Sequence, residues 1–258
     1  MISPNIQLKM KIDLERLFRP EVRKVFNSIK KDMRITIAVT GMPPNIDNYK
    51  RVWEGVLLNH YKRVQRRFKG AVKPGKQTAE DDLLELALKA WREGQTITQA
   101  AIINETTKKN MREAIRLARQ RAIEEGVQLT EQELAYSSTG IFAKKFSGRE
   151  SGIIITETQT AAESAKYAEA EVYSGIKPAI LGGQPTENST TKRWLTVGDK
   201  RVRPIHRLAN GQIKPLQEPY VVNNQFLMYP GDSYYGATPD NIANCRCISV
   251  YRFIPLNS

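Results

Sequence analysis

The sequence predicts an α+β fold: a helical N-terminal region followed by a small C-terminal module built on short antiparallel strands. Through the first part of the chain, apolar residues recur at spacings of three and four, the period of an amphipathic helix. Capping and breaking residues punctuate that pattern as far as Gly175. Beyond Gly175, Pro, Gly and Asn become frequent, the helical period disappears and short β-prone runs replace it.

Leu14, Leu17, Phe18, Val22, Val25, Phe26 and Ile29 place an apolar stripe on a first helix over 11–38, with Pro20 at a first turn or a kink. Gly41-Met42-Pro43-Pro44-Asn45 breaks it. A second helix over 47–68 carries Val52, Val56 and Leu57 on one side. Its end is cationic, with Lys62, Arg63, Arg66, Arg67 and Lys69, which also complements the helix dipole. Lys73-Pro74-Gly75-Lys76 is the next break, and Thr78 with Asp81 forms a variant capping box for a helix that reaches Trp91 and ends at Gly94. A helix over 97–125, closed by Gly126, sets Arg112, Arg116 and Arg119 on one face beside Met111, Ile115, Ala118 and Ala122. Thr130 and Glu133 cap a shorter helix. After Gly152, Thr160 and Glu163 open an Ala-rich helix that ends near Gly175. Strands are expected at 177–181, 193–197, 220–222, 226–229 and 247–253, and Asn210-Gly211 suits a type I′ hairpin turn. The chain therefore reads as three segments: a basic helical segment (1–72), a helical region (73–150) and the α+β module (151–258).

Charge is distributed unevenly. Residues 1–72 hold 16 Lys/Arg against 6 Asp/Glu, residues 73–150 hold 13 against 12, and residues 151–258 hold 11 against 9. The first quarter thus carries most of the net charge of +13. A surplus of one sign attracts polyanions or an acidic partner. No run of about 18 apolar residues occurs, so no membrane span is expected. The first residues lack a continuous apolar core and a small-residue cleavage site, so no secretory leader is expected. Phosphate-cradling Gly-rich loops and the His-Glu-x-x-His and Gly-x-Ser-x-Gly motifs are absent from the sequence.

The richest stretch is 193–251. Arg193-Trp194-Leu195-Thr196 is followed by Asp199-Lys200-Arg201-Val202-Arg203 and His206, then Asn210-Gly211, then Tyr229-Pro230-Gly231-Asp232, and finally Asn244-Cys245-Arg246-Cys247. Trp194 reads as a core anchor. Strand alternation puts Asp199, Arg201 and Arg203 on one face, where an Asp–Arg pair would organise the fold. Cys245 and Cys247 are too close in sequence for an unstrained disulfide, so both are expected to be reduced. With His206 they offer only three zinc ligands at an unusual Cys-x-Cys spacing, so no metal or other cofactor is expected.

These motifs, in this order, resemble the C-terminal domain of the Mu F-like minor head proteins of tailed bacteriophages, also called phage head morphogenesis proteins. Glu157-Thr158-Gln159-Thr160-Ala161, leading into an Ala-rich helix, is similar to that family as well. The resemblance covers about residues 95–253 and leaves the first 90 residues matched only in being helical and basic. It implies a structural protein of the virion, not an enzyme, acting inside the capsid beside the portal and made in the host cytoplasm during assembly. The implied partners are the portal protein, a capsid or scaffolding protein and non-specific double-stranded DNA, with no membrane. Lys62, Arg63, Arg66, Arg67, Lys69, Arg112, Arg116 and Arg119 are then the candidate contacts to DNA or partner. The alternative is a nuclease or transferase with a basic helical leader, whose mark would be a cleft joining Arg203, His206 and a nucleophile.

Overall fold

A computed structural model describes residues 2–72, 78–186 and 190–253, apart from the side chains of residues 78–80. Four long helices come first: α1 (Pro4–Thr40), α2 (Tyr49–Phe68), α3 (Thr78–Glu124) and α4 (Glu131–Tyr173). A 3-10 turn (Ala179–Leu181) leads into β1 (Thr191–Leu195), α5 (Pro204–Ala209), β2 (Ile213–Pro215), β3 (Tyr220–Val222), β4 (Gln225–Leu227), α6 (Pro239–Ile242) and β5 (Ile248–Arg252). The α+β class expected from the sequence is the class observed.

Two of the expected helix ends are absent. Gly94 lies inside α3 and Gly152 inside α4. An interior glycine costs a helix about 1 kcal/mol, less than the burial of the apolar residues on either side returns. Leu84, Ala87, Leu88, Ala100 and Ile103 flank Gly94, and Ile153 and Ile154 follow Gly152, all buried. Thr160 and Glu163 therefore lie deep within a helix that begins much earlier, at the capping box of Thr130 and Glu133. There the Glu133 carboxylate accepts from the Thr130 amide at 2.8 Å, and Thr130 Oγ1 accepts from the Glu133 amide at 3.3 Å. The expected break at 73–76 and the Thr78 side chain lie outside the described residues.

Compact units are assembled from separated stretches of chain. One unit comprises Met1–Arg16, His60–Gly94 and Ile155–Ser258, and the other Leu17–Asn59 and Gln95–Ile154. Each long helix contributes one end to each unit. The second unit is helical throughout. Phe18, Val22, Val25, Phe26, Ile29, Met33 and Ile37 of α1 are buried in it at helical spacing, while Leu17 is exposed. Phe26 meets Trp53 edge to face at 5.0 Å.

The first unit holds the strands. β1 is central in an antiparallel sheet of order β2-β1-β5, and β3 pairs with β4 in a separate hairpin. Trp194 on β1 is fully buried among Ala209, Tyr220, Val222, Leu227, Cys245 and Cys247, so it is the core anchor expected. Two local expectations are corrected. The run 177–181 is a 3-10 turn, because Pro178 opens it and Gly182 closes it at φ 77°. Asn210 (φ −60°, ψ 129°) and Gly211 (φ 86°) form a type II turn closed by the Gln212 amide on the Ala209 carbonyl at 3.1 Å, not a type I′ hairpin. The two-residue hairpin loop is Asn223-Asn224, both left-handed at φ 49° and 57°, which joins β3 to β4 in the register Val222 to Gln225.

Candidate functional site

The residues of α4 from 157 to 172 are all buried, with no polar face. A helix buried all round is ordinarily apolar. This one carries Glu157, Gln159, Thr160, Glu163, Lys166, Glu169 and Glu171, and each must find a partner inside. The separate sequence motifs supply several of them, while Tyr61 donates to Glu157 and the Val72 and Ala179 amides to Glu169 and Glu171. Thr156 Oγ1 accepts from the Asn244 amide at 3.0 Å. Gln159 Nε2 donates to the carbonyl of Cys247 at 2.6 Å and, less closely, to that of Pro230 at 3.3 Å. Thr160 Oγ1 donates to the Gly231 carbonyl at 3.1 Å. Gly231 has φ 91°, and a Cβ there would lie 3.1 Å from Thr160 Oγ1, so the Pro-Gly-Asp turn can approach the helix only as glycine. Asp232 then closes that turn by accepting from the amides of Met228 (2.8 Å) and Tyr234 (2.9 Å).

An ion cluster lies next along the same helix. Lys11 on α1 reaches Gln159 and Glu163, each at 2.7 Å. Lys166 reaches Glu163 at 2.9 Å, Gln7 at 2.8 Å and the Ser249 carbonyl at 3.1 Å, and the Ser249 amide donates to Glu163 at 2.9 Å. Burial would raise the Glu163 pKa, but the ammonium groups of Lys11 and Lys166 hold it below the ordinary value. Burial pulls Lys166 down to about 8, against the attraction of Glu163. This cluster ties α1, α4 and β5 together in one unit. In the sequence, Lys11 and Lys166 belong to no recognisable site motif. The available signal was a Glu-x-x-Lys pair, Glu163 and Lys166, inside an Ala-rich helix with no apolar stripe to set it against.

The pair of Asp199 and Arg201 does not play that part. Residues 199–202 form a turn, not a strand, so the expected shared face does not exist. Asp199 accepts from the Arg201 amide at 2.9 Å and its guanidinium at 3.2 Å, and the pair is exposed. Arg203 instead donates to the carbonyl of Ala243, tying the start of α5 to the end of α6. Beside it lies a pocket of about 270 Å³, lined by Asp199, Arg203, His206, Asn244, Cys245 and Cys247 among others. His206 Nδ1 is 3.6 Å from Cys245 Sγ and 3.4 Å from Cys247 Sγ, with all three residues buried and both cysteines free. The Cys247 thiol, with help from His206, lowers the Cys245 pKa despite burial, while its own is raised. These three residues form the one group of metal-type donors found among the described residues.

The candidate cations fall into two sets. Lys62, Arg66 and Arg67 are exposed on α2 and Lys69 just past its end, all in the first unit, and Arg63 is half-buried there. Lys69 pairs with Asp81 at 3.3 Å. Arg112, Arg116 and Arg119 are exposed on α3 in the second unit. Of these, Arg116 is held by Glu113 at 2.8 Å and Arg119 donates to the Gly41 carbonyl at 3.0 Å. No helix among the described residues is long and apolar enough to cross a membrane.

A long polar-laden helix that gathers the turn motifs of a Trp-anchored strand module onto Thr156, Gln159 and Thr160 defines the class of module present here. The sequence profile of the family described as "Phage Mu protein F like protein" matches residues 113–250, just over half of the chain. The chain belongs to that family, which makes it a bacteriophage head-morphogenesis type of protein. No curated protein and no solved structure gives a significant match.

Proposed function

We propose that the protein is a minor head protein that takes its place beside the portal inside the phage capsid and contacts the packaged DNA through its basic helical segment. Family membership supports the head role. The DNA contact rests on Lys62, Arg66 and Arg67, which are exposed at the end of α2 with no ion pair among the described residues. Unpaired surface cations gain most from neutralising phosphates, because they release condensed counterions without first breaking an internal salt bridge. Arg112 belongs to the same class, whereas Arg116 and Arg119 are partly committed to neighbours. Stoichiometric co-purification with the portal protein from assembling heads tests the head role. Duplex DNA binding by the purified chain should be independent of sequence and fall steeply with salt. Replacing Arg66 and Arg67 by Glu should weaken it and lower the salt slope by about one per lost phosphate contact. Undiminished binding by that variant would remove this surface from the proposal.

A second reading, a nucleic-acid-acting enzyme, draws on one observation: the pocket does join Arg203, His206 and two thiols. Against it, His206 Nε2 is buried with no hydrogen-bond partner, so the third group that orients a catalytic imidazole is missing among the described residues. Cleavage of DNA or RNA, lost in Cys245→Ser, would favour this reading over the first.

A further inference from the structure

His206, Cys245 and Cys247 are brought together from α5 and from the segment that enters β5, around a common point. A zinc ion with thiolate at about 2.3 Å and imidazole nitrogen at about 2.0 Å, in tetrahedral geometry, requires nitrogen–sulfur separations of about 3.6 Å. The two separations here are 3.6 and 3.4 Å, and all three donor atoms lie within 4.8 Å of one another. Hydrogen bonding alone accounts poorly for this arrangement. An imidazole nitrogen has one in-plane lone pair or one proton and serves one partner, yet two sulfurs converge on the same Nδ1.

We propose that His206 Nδ1, Cys245 Sγ and Cys247 Sγ bind a zinc ion, whose fourth position opens on the adjoining pocket and is filled by solvent. Soft thiolates with imidazole select zinc over hard divalent ions such as magnesium or calcium. The backbone that carries the two sulfurs is bent just before Cys245 and held at both cysteines. Asn244 is left-handed at φ 54°, the Cys245 amide is held by the Ile242 carbonyl at 3.3 Å, and the Cys247 carbonyl is gripped by Gln159 at 2.6 Å. Arg203 clamps the other side through the Ala243 carbonyl, next to the helix that carries His206. The two thiols are thus positioned by hydrogen bonds to their backbone, and the His206 ring by edge-to-face packing on Trp194 at 5.7 Å, its Nε2 having no hydrogen-bond partner among the described residues. The fourth position is served from the pocket because the same three residues line it, together with Asp199, Asn244 and Arg246. This site lies outside the charged surfaces on which the DNA proposal rests, so either can fail alone.

The test uses the full chain, expressed without a polyhistidine tag and dialysed free of loose metal. Elemental analysis should find about one zinc per chain, and Cys245→Ser and Cys247→Ser should each lose nearly all of it. Titrating the metal-stripped chain with cobalt(II) should give thiolate-to-cobalt charge-transfer absorption and the intense visible bands of a tetrahedral site. If the variants do not fold, this wild-type spectrum decides alone. A folded wild-type chain that retains no zinc after incubation with an equimolar amount, and shows no cobalt–thiolate band, would overturn the proposal in favour of a hydrogen-bonded thiol cluster. Zinc retained in a folded variant lacking both cysteines would overturn the assignment equally.

Discussion

An ion pair and a three-residue ion cluster in the same unit behave as opposites. Asp199 and Arg201 are neighbours in sequence and face solvent, with side chains 36% and 71% exposed. Lys11 comes from α1 and meets Glu163 and Lys166 of α4 about 150 positions along the chain, and none is more than 3% exposed. In water each member of the first pair is well solvated alone, so pairing gains little. In the interior each charge depends on the others, because an uncompensated buried charge has nowhere to find solvation. Stability therefore tracks burial and mutual dependence, not the visibility of a pair in the sequence.

Glu163→Gln should break the contrast most severely. It leaves Lys11 and Lys166 buried without a carboxylate, at a cost of roughly 3–5 kcal/mol. Urea unfolding monitored by circular dichroism should show a large fall in midpoint with the slope retained, and a near-wild-type midpoint would remove the cluster from its organising role. A smaller loss is expected for Gly231→Ala. The strained positive φ and the approach of Thr160 together cost about 1–2 kcal/mol, readable in the same experiment.

Glu157 sharpens the comparison through pH. Burial raises its pKa from 4.5 to about 7, opposed by the hydroxyl of Tyr61, which donates to it at 2.5 Å. The folded chain then holds a proton that the unfolded chain releases above about pH 4.5, so this group's contribution to stability falls as pH rises from 4.5 through 7. Glu157→Gln should match wild type near pH 4.5 and exceed it above pH 7 by about 1–3 kcal/mol. Melting curves across that range check the sign, and a variant less stable than wild type at pH 8 would contradict it. The smallest effect belongs to Asp199→Ala, whose melting temperature should be indistinguishable from wild type. A clear drop would show that the exposed pair does more than its geometry allows.

The candidate site was legible in parts and not as a whole. Trp194, the Pro230-Gly231-Asp232 turn and the cysteine pair were each visible as local chemistry. Their convergence on residues 156–160 of α4 was not, because hydrogen bonds from Thr156, Gln159 and Thr160 span 71 to 88 positions along the chain. Glu163 was read as a helix cap because Thr160 and Glu163 satisfy the capping pattern. The chain continues as helix through them, so the same side chains were free to serve the interior. Likewise the meeting of His206 with Cys245 and Cys247 is not legible locally, since 39 and 41 positions separate them. The imidazole arrives from a separate helix, α5.

The sequence by itself determined the succession of long helices, the change to short strands after Gly175, the buried Trp194 and the basic character of the first quarter. Each depends on local period, local turn chemistry or composition, which act over a few residues. Only the tertiary structure decided that α3 and α4 run unbroken through Gly94 and Gly152, that the charges of α4 pair inside, and that an imidazole meets two thiols. Those outcomes depend on which distant surfaces become mutually buried, and burial changes the energy of a charge or a glycine by more than any local preference does.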